Sequence, residues 1–260
     1  MALHDHFLGL MARDRWILTL CLAVVLILSW LYILSGAGMD MSMPSMAMAP
    51  MVWSPTTATL MLAMWWIMMI AMMVPSAAPT VMLFSAIEAK SANPRRAMLR
   101  AGCFLAGYLA IWAAFGALAT GLQWALGRVG LMAMDMRLSS PLLGGAILIA
   151  AGLYQLAPIK AACLRHCQSP VLFLSNHWRS GAWGAFQMGA RHGLSCLGCC
   201  WVLMLLLFAG GIMNLLWIAG LAVYVALERL MGKIAWVPHM AGVALCLAGT
   251  LWLAGPIASP

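Results

Sequence analysis

The chain has 260 residues, of which 65% are hydrophobic and 8% charged, with a net charge of +8. Soluble domains carry roughly 25% charged residues, so the composition excludes a soluble globular enzyme and a disordered chain alike. What remains is an all-α polytopic membrane protein forming a single integral membrane domain. At about 20 apolar residues per span, the length allows six or seven spans. It leaves no room for a nucleotide-binding domain, and no phosphate-cradling glycine-rich motif is present.

Taken in chain order, the predicted spans are 16–35, 57–85, 101–123, 141–156, 194–209, 212–227 and 239–255. The second is bent or broken by Pro75 and Pro79. Gly210 and Gly211 separate the fifth and sixth spans, which together are too long for one crossing, so a tight hairpin is expected. The segment 160–193 carries Trp178, Trp183, Asn176 and Arg179 and is too polar to span. It is expected to lie on the inner surface as an interfacial helix or helical hairpin.

Basic residues set the orientation. With the N-terminus inside, the inner segments hold Arg13, Arg15, Lys90, Arg95, Arg96, Arg100, Lys160, Arg165, Arg179, Arg191, Arg229 and Lys233. The outer loops hold only Arg128 and Arg137. The positive charge therefore faces the anionic inner leaflet, and no nucleic-acid partner is needed to explain it. The expected setting is the bacterial inner membrane, with the lipid bilayer itself as the first partner.

Sulfur divides by side. The 24 Met include six in the outer loop 36–56, read as GAGMDMSMPSMAMAPMVWSP: Met39, Met41, Met43, Met46, Met48 and Met51. The second outer loop repeats the triplet Met-Asp-Met, with Met132, Met134 and Met136. Methionine in a watery loop has no packing reason to recur, whereas thioethers suit Cu(I) and form no disulfides. In the second span, Met64, Met68 and Met72 recur at i, i+4, i+8 with Met61 one turn before, so their side chains share one helix face. Core packing is the competing explanation, because methionine fills irregular gaps between helices.

Cysteine is placed oppositely. Cys163-x-x-x-Cys167 and the run Cys196, Cys199, Cys200 lie on inner segments, and none of the 8 Cys falls in an outer loop. At helical spacing each group presents its thiols on one arc. Three or four thiolates suit Cu(I), with Zn(II) as the alternative. Lys160, Arg165 and Arg191 are the expected neighbouring cations, and His166, His177 and His192 are nearby candidates. Among the polar residues in spans, Glu228 is expected to pair with the adjacent Arg229, and Asn214 to hydrogen-bond between helices.

The runs MWWIMMIAMMVPSAAPT, YQLAPIKAACLRHCQSP and GLSCLGCCWVLMLLLFAGGIMNLLWI resemble a bacterial family of predicted metal-binding integral membrane proteins of unknown function. The likeness extends loosely from Thr57 to Lys233. It implies metal binding at Cys163, Cys167, Cys196, Cys199 and Cys200 and on the Met-rich second span, and it names no enzyme activity. The functional expectation is a non-enzymatic copper(I)-handling protein. It would pass soft metal from outer methionines (Met39, Met41, Met43) along Met64, Met68 and Met72 to the inner cysteines. The alternatives are a non-transporting chaperone or assembly factor serving a membrane copper enzyme, a thiol-redox protein, and a structural subunit. A metallochaperone is a further candidate partner.

Overall fold

Proline decides where five consecutive helices begin, since its missing N–H costs nothing at a first helical position. The computed structural model describes residues 2–36, 53–91, 93–133, 136–230 and 236–254. Its helices are α1 (Ala2–Leu34), α2 (Pro55–Ser91), α3 (Pro94–Arg128), α4 (Pro141–Leu156), α5 (Pro158–Gln168), α6 (Pro170–His177), α7 (Gly181–Gly210), α8 (Leu215–Leu230) and α9 (Trp236–Ala254). Ser54, Asn93 and Ser140, each just ahead of a proline, accept hydrogen bonds from backbone N–H groups of the first turns of α2, α3 and α4. The described residues form no named strand, only an isolated bridge between Met132 and Leu138.

Five helical stretches are long and apolar enough to cross a membrane: Trp16–Leu34, Pro55–Lys90, Arg95–Arg128, Gly181–Gly210 and Trp236–Ala254. A sixth is the pair Pro141–Leu156 and Pro158–Arg165, bent by 63°. α8 has 16 residues, short of the usual 17–25 for a span. The exterior is apolar, with Leu216 87%, Trp16 73% and Leu118 73% exposed, as suits a lipid solvent.

Two expectations change. α2 runs unbroken through Pro75 and Pro79. The Ser76 hydroxyl and the Tyr108 hydroxyl both donate to the Met73 carbonyl at this stretch, at 2.8 and 3.2 Å. Such side-chain donors help a proline-bearing helix persist. Second, α7 starts at Gly181 rather than at residue 194, so the latter part of the expected interfacial segment is instead the first half of a long helix. Asn214 links two helices as expected, its Nδ2 donating at 3.2 Å to the carbonyl of Gly210, the last residue of α7. Its Oδ1 accepts from Trp217 N at 3.2 Å, so it caps the start of α8. The expected hairpin is present, turning at Gly211 with φ 97°, a conformation that favours glycine.

α7 is the hub and packs on α3, α4 and α5, while α2 packs on α1, α3 and α8, and α4 on α9. Two of these crossings need glycine. On α3 and α7, Gly107 faces the Phe186 carbonyl and Gly189 faces the Phe104 carbonyl, each too close for any Cβ. On α4 and α9, a Cβ on Gly152 would meet the Gly242 carbonyl oxygen at 2.6 Å, and one on Gly249 would meet that of Gly145 at 2.9 Å. Small residues let helix backbones close together where lipid supplies no hydrophobic drive. The α3–α7 contact is what holds the cysteine-bearing helix against the methionine-bearing side of the bundle.

Candidate metal centre

The longer α7 moves the cysteines. Cys196, Cys199 and Cys200 sit near the middle of Gly181–Gly210, not at the start of a helix, and all are buried. Their spacing puts them on one arc, and the thiols of Cys199 and Cys200 reach back to the Cys196 carbonyl at 3.1 and 3.0 Å. α5 brings the second group. Cys167 is buried, a free thiol facing that of Cys199. Cys163 is half-buried over Gly198, where a Cβ would lie 3.1 Å from its sulfur. The Tyr154 hydroxyl donates to the Gly198 carbonyl on the same side.

The cation in contact with this cluster is Arg229; Lys160 also acts on Cys199 through its charge, whereas Arg165 and Arg191 stand apart. Arg165 and Arg191 are exposed. Arg229 Nη2 lies 2.8 Å from Cys196 Sγ, 3.0 Å from Cys199 Sγ and 3.8 Å from Cys200 Sγ, and also donates to the Cys196 carbonyl at 3.2 Å. Its Nη1 donates to Ser76 Oγ at 3.3 Å. The expected Glu228–Arg229 pair is absent. Glu228 instead meets Lys160, with Oε1 2.6 Å from Nζ and both side chains 1% exposed. Gln155 Oε1 accepts from the same ammonium, Gln155 Nε2 donates to the Tyr224 hydroxyl at 2.7 Å, and that hydroxyl donates to Glu228 at 3.0 Å. Lys160 and Glu228 thus neutralise one another. A buried guanidinium beside them still needs an anion, and the ionisable groups touching it are thiols.

The methionine row leads to this place. Met61, Met64, Met68 and Met72 are each at most 3% exposed, and Met69 and Met73 are fully buried in the same core. Tyr108 joins the row to the thiols, since its hydroxyl touches the Met73 carbonyl and lies 2.9 Å from Cys196 Sγ. Burial in the core is what either packing or ligation would produce. Met39, Met41 and Met43 lie outside the described residues, as do Met46, Met48, Met51 and Met134.

A family model described as "PpoB2: Copper chaperone" matches residues 62–252. The chain belongs to the PpoB2 copper chaperone family. No curated protein and no solved structure matches it. Membership agrees with the resemblance carried by the three sequence runs, supports a copper-handling role, and points to a non-enzymatic one.

For a PpoB2 copper chaperone the donor chemistry fits the cargo: thiols and thioethers are the soft ligands that select Cu(I). Yet among the described residues no group of three or more His, Cys, Asp or Glu side chains encloses a space for an ion. The point on which Cys196, Cys199 and Cys200 converge is taken by Arg229 Nη2. Copper entering here would have to replace those N–H contacts.

Sequence reasoning misses Arg229 and Tyr108 as members of this cluster. The available signal for Arg229 is a charged residue at the end of a predicted span, and its neighbour Glu228 supplies a ready but mistaken partner. The remaining candidates stand apart. Cys21 is exposed on α1, Cys103 lies on α3, and Cys246 sits in the α4–α9 crossing, 3.9 Å from the Ile149 carbonyl. His177 is bonded to the Phe173 carbonyl at 3.1 Å.

His192, one turn before Cys196, is fully buried among Phe104, Tyr108 and Phe173, and neither ring nitrogen has a partner among the described residues. An unsatisfied buried polar group costs about 1–3 kcal/mol. His192→Phe is therefore expected to raise stability by about 1 kcal/mol, seen as a higher Tm in detergent. A lowered Tm would mean that the imidazole has a partner in the membrane.

Proposed function

We propose that this chain is a multi-pass protein of the bacterial inner membrane that holds copper(I) in its thiol pocket and passes it on. The N-terminus is inside, α8 completes a seven-span arrangement, and the whole forms one membrane domain. Cu(I) is collected by the outer loop at Met39, Met41 and Met43, moves along Met64, Met68 and Met72, and is received by Cys163, Cys167, Cys196, Cys199 and Cys200. Each step exchanges one soft donor for another. Thiolates add a charge attraction that thioethers lack, which favours movement from methionine to cysteine. Zinc is the less suited alternative, since it gains little from the thioether row.

The observation that carries this reading is the buried Arg229 ringed by thiols, with no carboxylate of its own among the described residues. It supplies the counter-charge that a bis-thiolate Cu(I) complex, itself an anion, needs away from water. Replacing Cys163, Cys167, Cys196 and Cys199 together by Ser is expected to remove tight Cu(I) binding from the pocket, measured by competition with a chromophoric Cu(I) chelator. Unchanged tight binding would rule the pocket out.

A second reading is a chaperone that delivers copper to a membrane copper enzyme without transporting it. The family description favours it, as does the burial of Cys167, Cys196, Cys199 and Cys200 inside the protein. Copper uptake into proteoliposomes separates the two, because a delivery protein binds copper without filling the vesicle.

A further inference from the structure

The outer end of the methionine row carries a feature that copper transfer to the thiols does not use. Gln123 on α3 is 2% exposed. Its Oε1 accepts from Trp65 Nε1 at 2.8 Å, which fixes the amide so that its NH2 group faces away from the indole. That NH2 lies 3.6 Å from Met61 Sδ and 3.8 Å from Met136 Sδ. Two thioethers, 75 residues apart in sequence, therefore aim their lone pairs at one buried point.

Met136 is held there at a conformational cost. Its φ is 57°, the left-handed region that L side chains seldom adopt, and it is the one described non-glycine residue with positive φ. Met136 N donates to the Ala133 carbonyl at 3.0 Å, and Ile212 N donates to the Met136 carbonyl at 3.3 Å. Leu138 N is tied to the Phe208 carbonyl at 2.8 Å. The loop is thus fastened to the α7–α8 turn, and the thioether turns inward rather than into solvent. Packing alone would be served by any apolar residue in an ordinary conformation. A strained residue that brings a second thioether to the same buried amide is better explained by function.

We propose that Met61 and Met136 form a second soft-metal site, for Cu(I) or Ag(I), at the outer end of the buried row. The proposal rests on the reading that this row carries copper. Its N–H···S contacts are long and weak, and a soft cation entering between the sulfurs turns the Gln123 amide aside at the cost of its Trp65 hydrogen bond. Two neutral thioethers bind more weakly than thiolates, which suits a station that must release its ion. Met64, one turn further in on the same helix face, is the next donor.

The test uses full-length protein with methionine methyl groups labelled with carbon-13, and Ag(I) as a redox-inert probe. The Met61 and Met136 resonances are assigned by their loss in Met61→Leu and Met136→Leu. They are expected to shift together with one midpoint in the native protein. In Met61→Leu the Met136 shift should need at least tenfold more Ag(I), while Met240→Leu on the exposed face of α9 leaves both unchanged. Unaltered resonances from the other methionines certify the fold of each variant. The proposal is overturned if the Met136 resonance is unmoved at saturating Ag(I), or if it shifts equally well in Met61→Leu. The paired shift should persist in the four-cysteine Ser variant. Its failure with thiol binding intact sinks the outer site alone, and the converse result sinks the thiol pocket alone.

Discussion

Glu228→Gln is expected to destabilise the folded protein by about 3–5 kcal/mol, because it strands a buried ammonium. Lys160 Nζ is 2.6 Å from Glu228 Oε1, and both side chains are 1% exposed. Gln155 can accept one hydrogen bond from the ammonium, but a neutral amide does not cancel its charge. The variant should unfold at a clearly lower temperature in detergent. Lys160→Met combined with Glu228→Leu should recover most of the loss, since replacing a whole buried pair by apolar groups is often neutral. If the double variant is as unstable as the single one, the pair's value lies in its hydrogen bonds to Tyr224 and Gln155. The pair also ties α5 to α8. It thereby seats Cys167 against Cys199, so Glu228→Gln should weaken Cu(I) binding as well.

Arg229→Met should weaken Cu(I) binding by about 100- to 1000-fold. Two effects oppose each other. Removing the guanidinium clears the point where the sulfurs converge, which helps copper enter. It also leaves a bis-thiolate Cu(I) anion buried without a counter-ion, a loss of about 3–5 kcal/mol by analogy with broken buried pairs. At 1.4 kcal/mol per tenfold, a loss of that size outweighs what clearing the short Arg229 contacts to Cys196 and Cys199 returns. Arg229→Lys keeps the charge and should restore most of the affinity. Chelator competition on the two variants measures both. Tighter binding in Arg229→Met would show that the guanidinium blocks copper more than it stabilises it.

Much of the architecture is legible in the order of residues. The apolar stretches locate most helices, the prolines mark their starts, and the glycine pair marks the hairpin. Composition is a poorer guide to helix length. The segment ahead of Leu194 looks too polar to cross, yet Gly184, Gly189 and Gly193 let it pack tightly as part of α7. That one difference moves Cys196 from the inner surface to the middle of a helix. The thioether row is equally visible as a period of four. Its link to Met136 is not, because a strained loop and a long-range amide contact leave no mark in local periodicity.

The sequence by itself determined the chemistry at hand: helices for an apolar solvent, soft donors for a soft metal, and a pair of adjacent charges at the end of α8. Only the tertiary structure decided what those charges do. Neighbours on a helix point about 100° apart, so Glu228 and Arg229 cannot share a partner. Glu228 turns to Lys160 on α5, and Arg229 turns to the thiols of α7. Adjacency suggested an ion pair, and helix geometry made two separate sites of it.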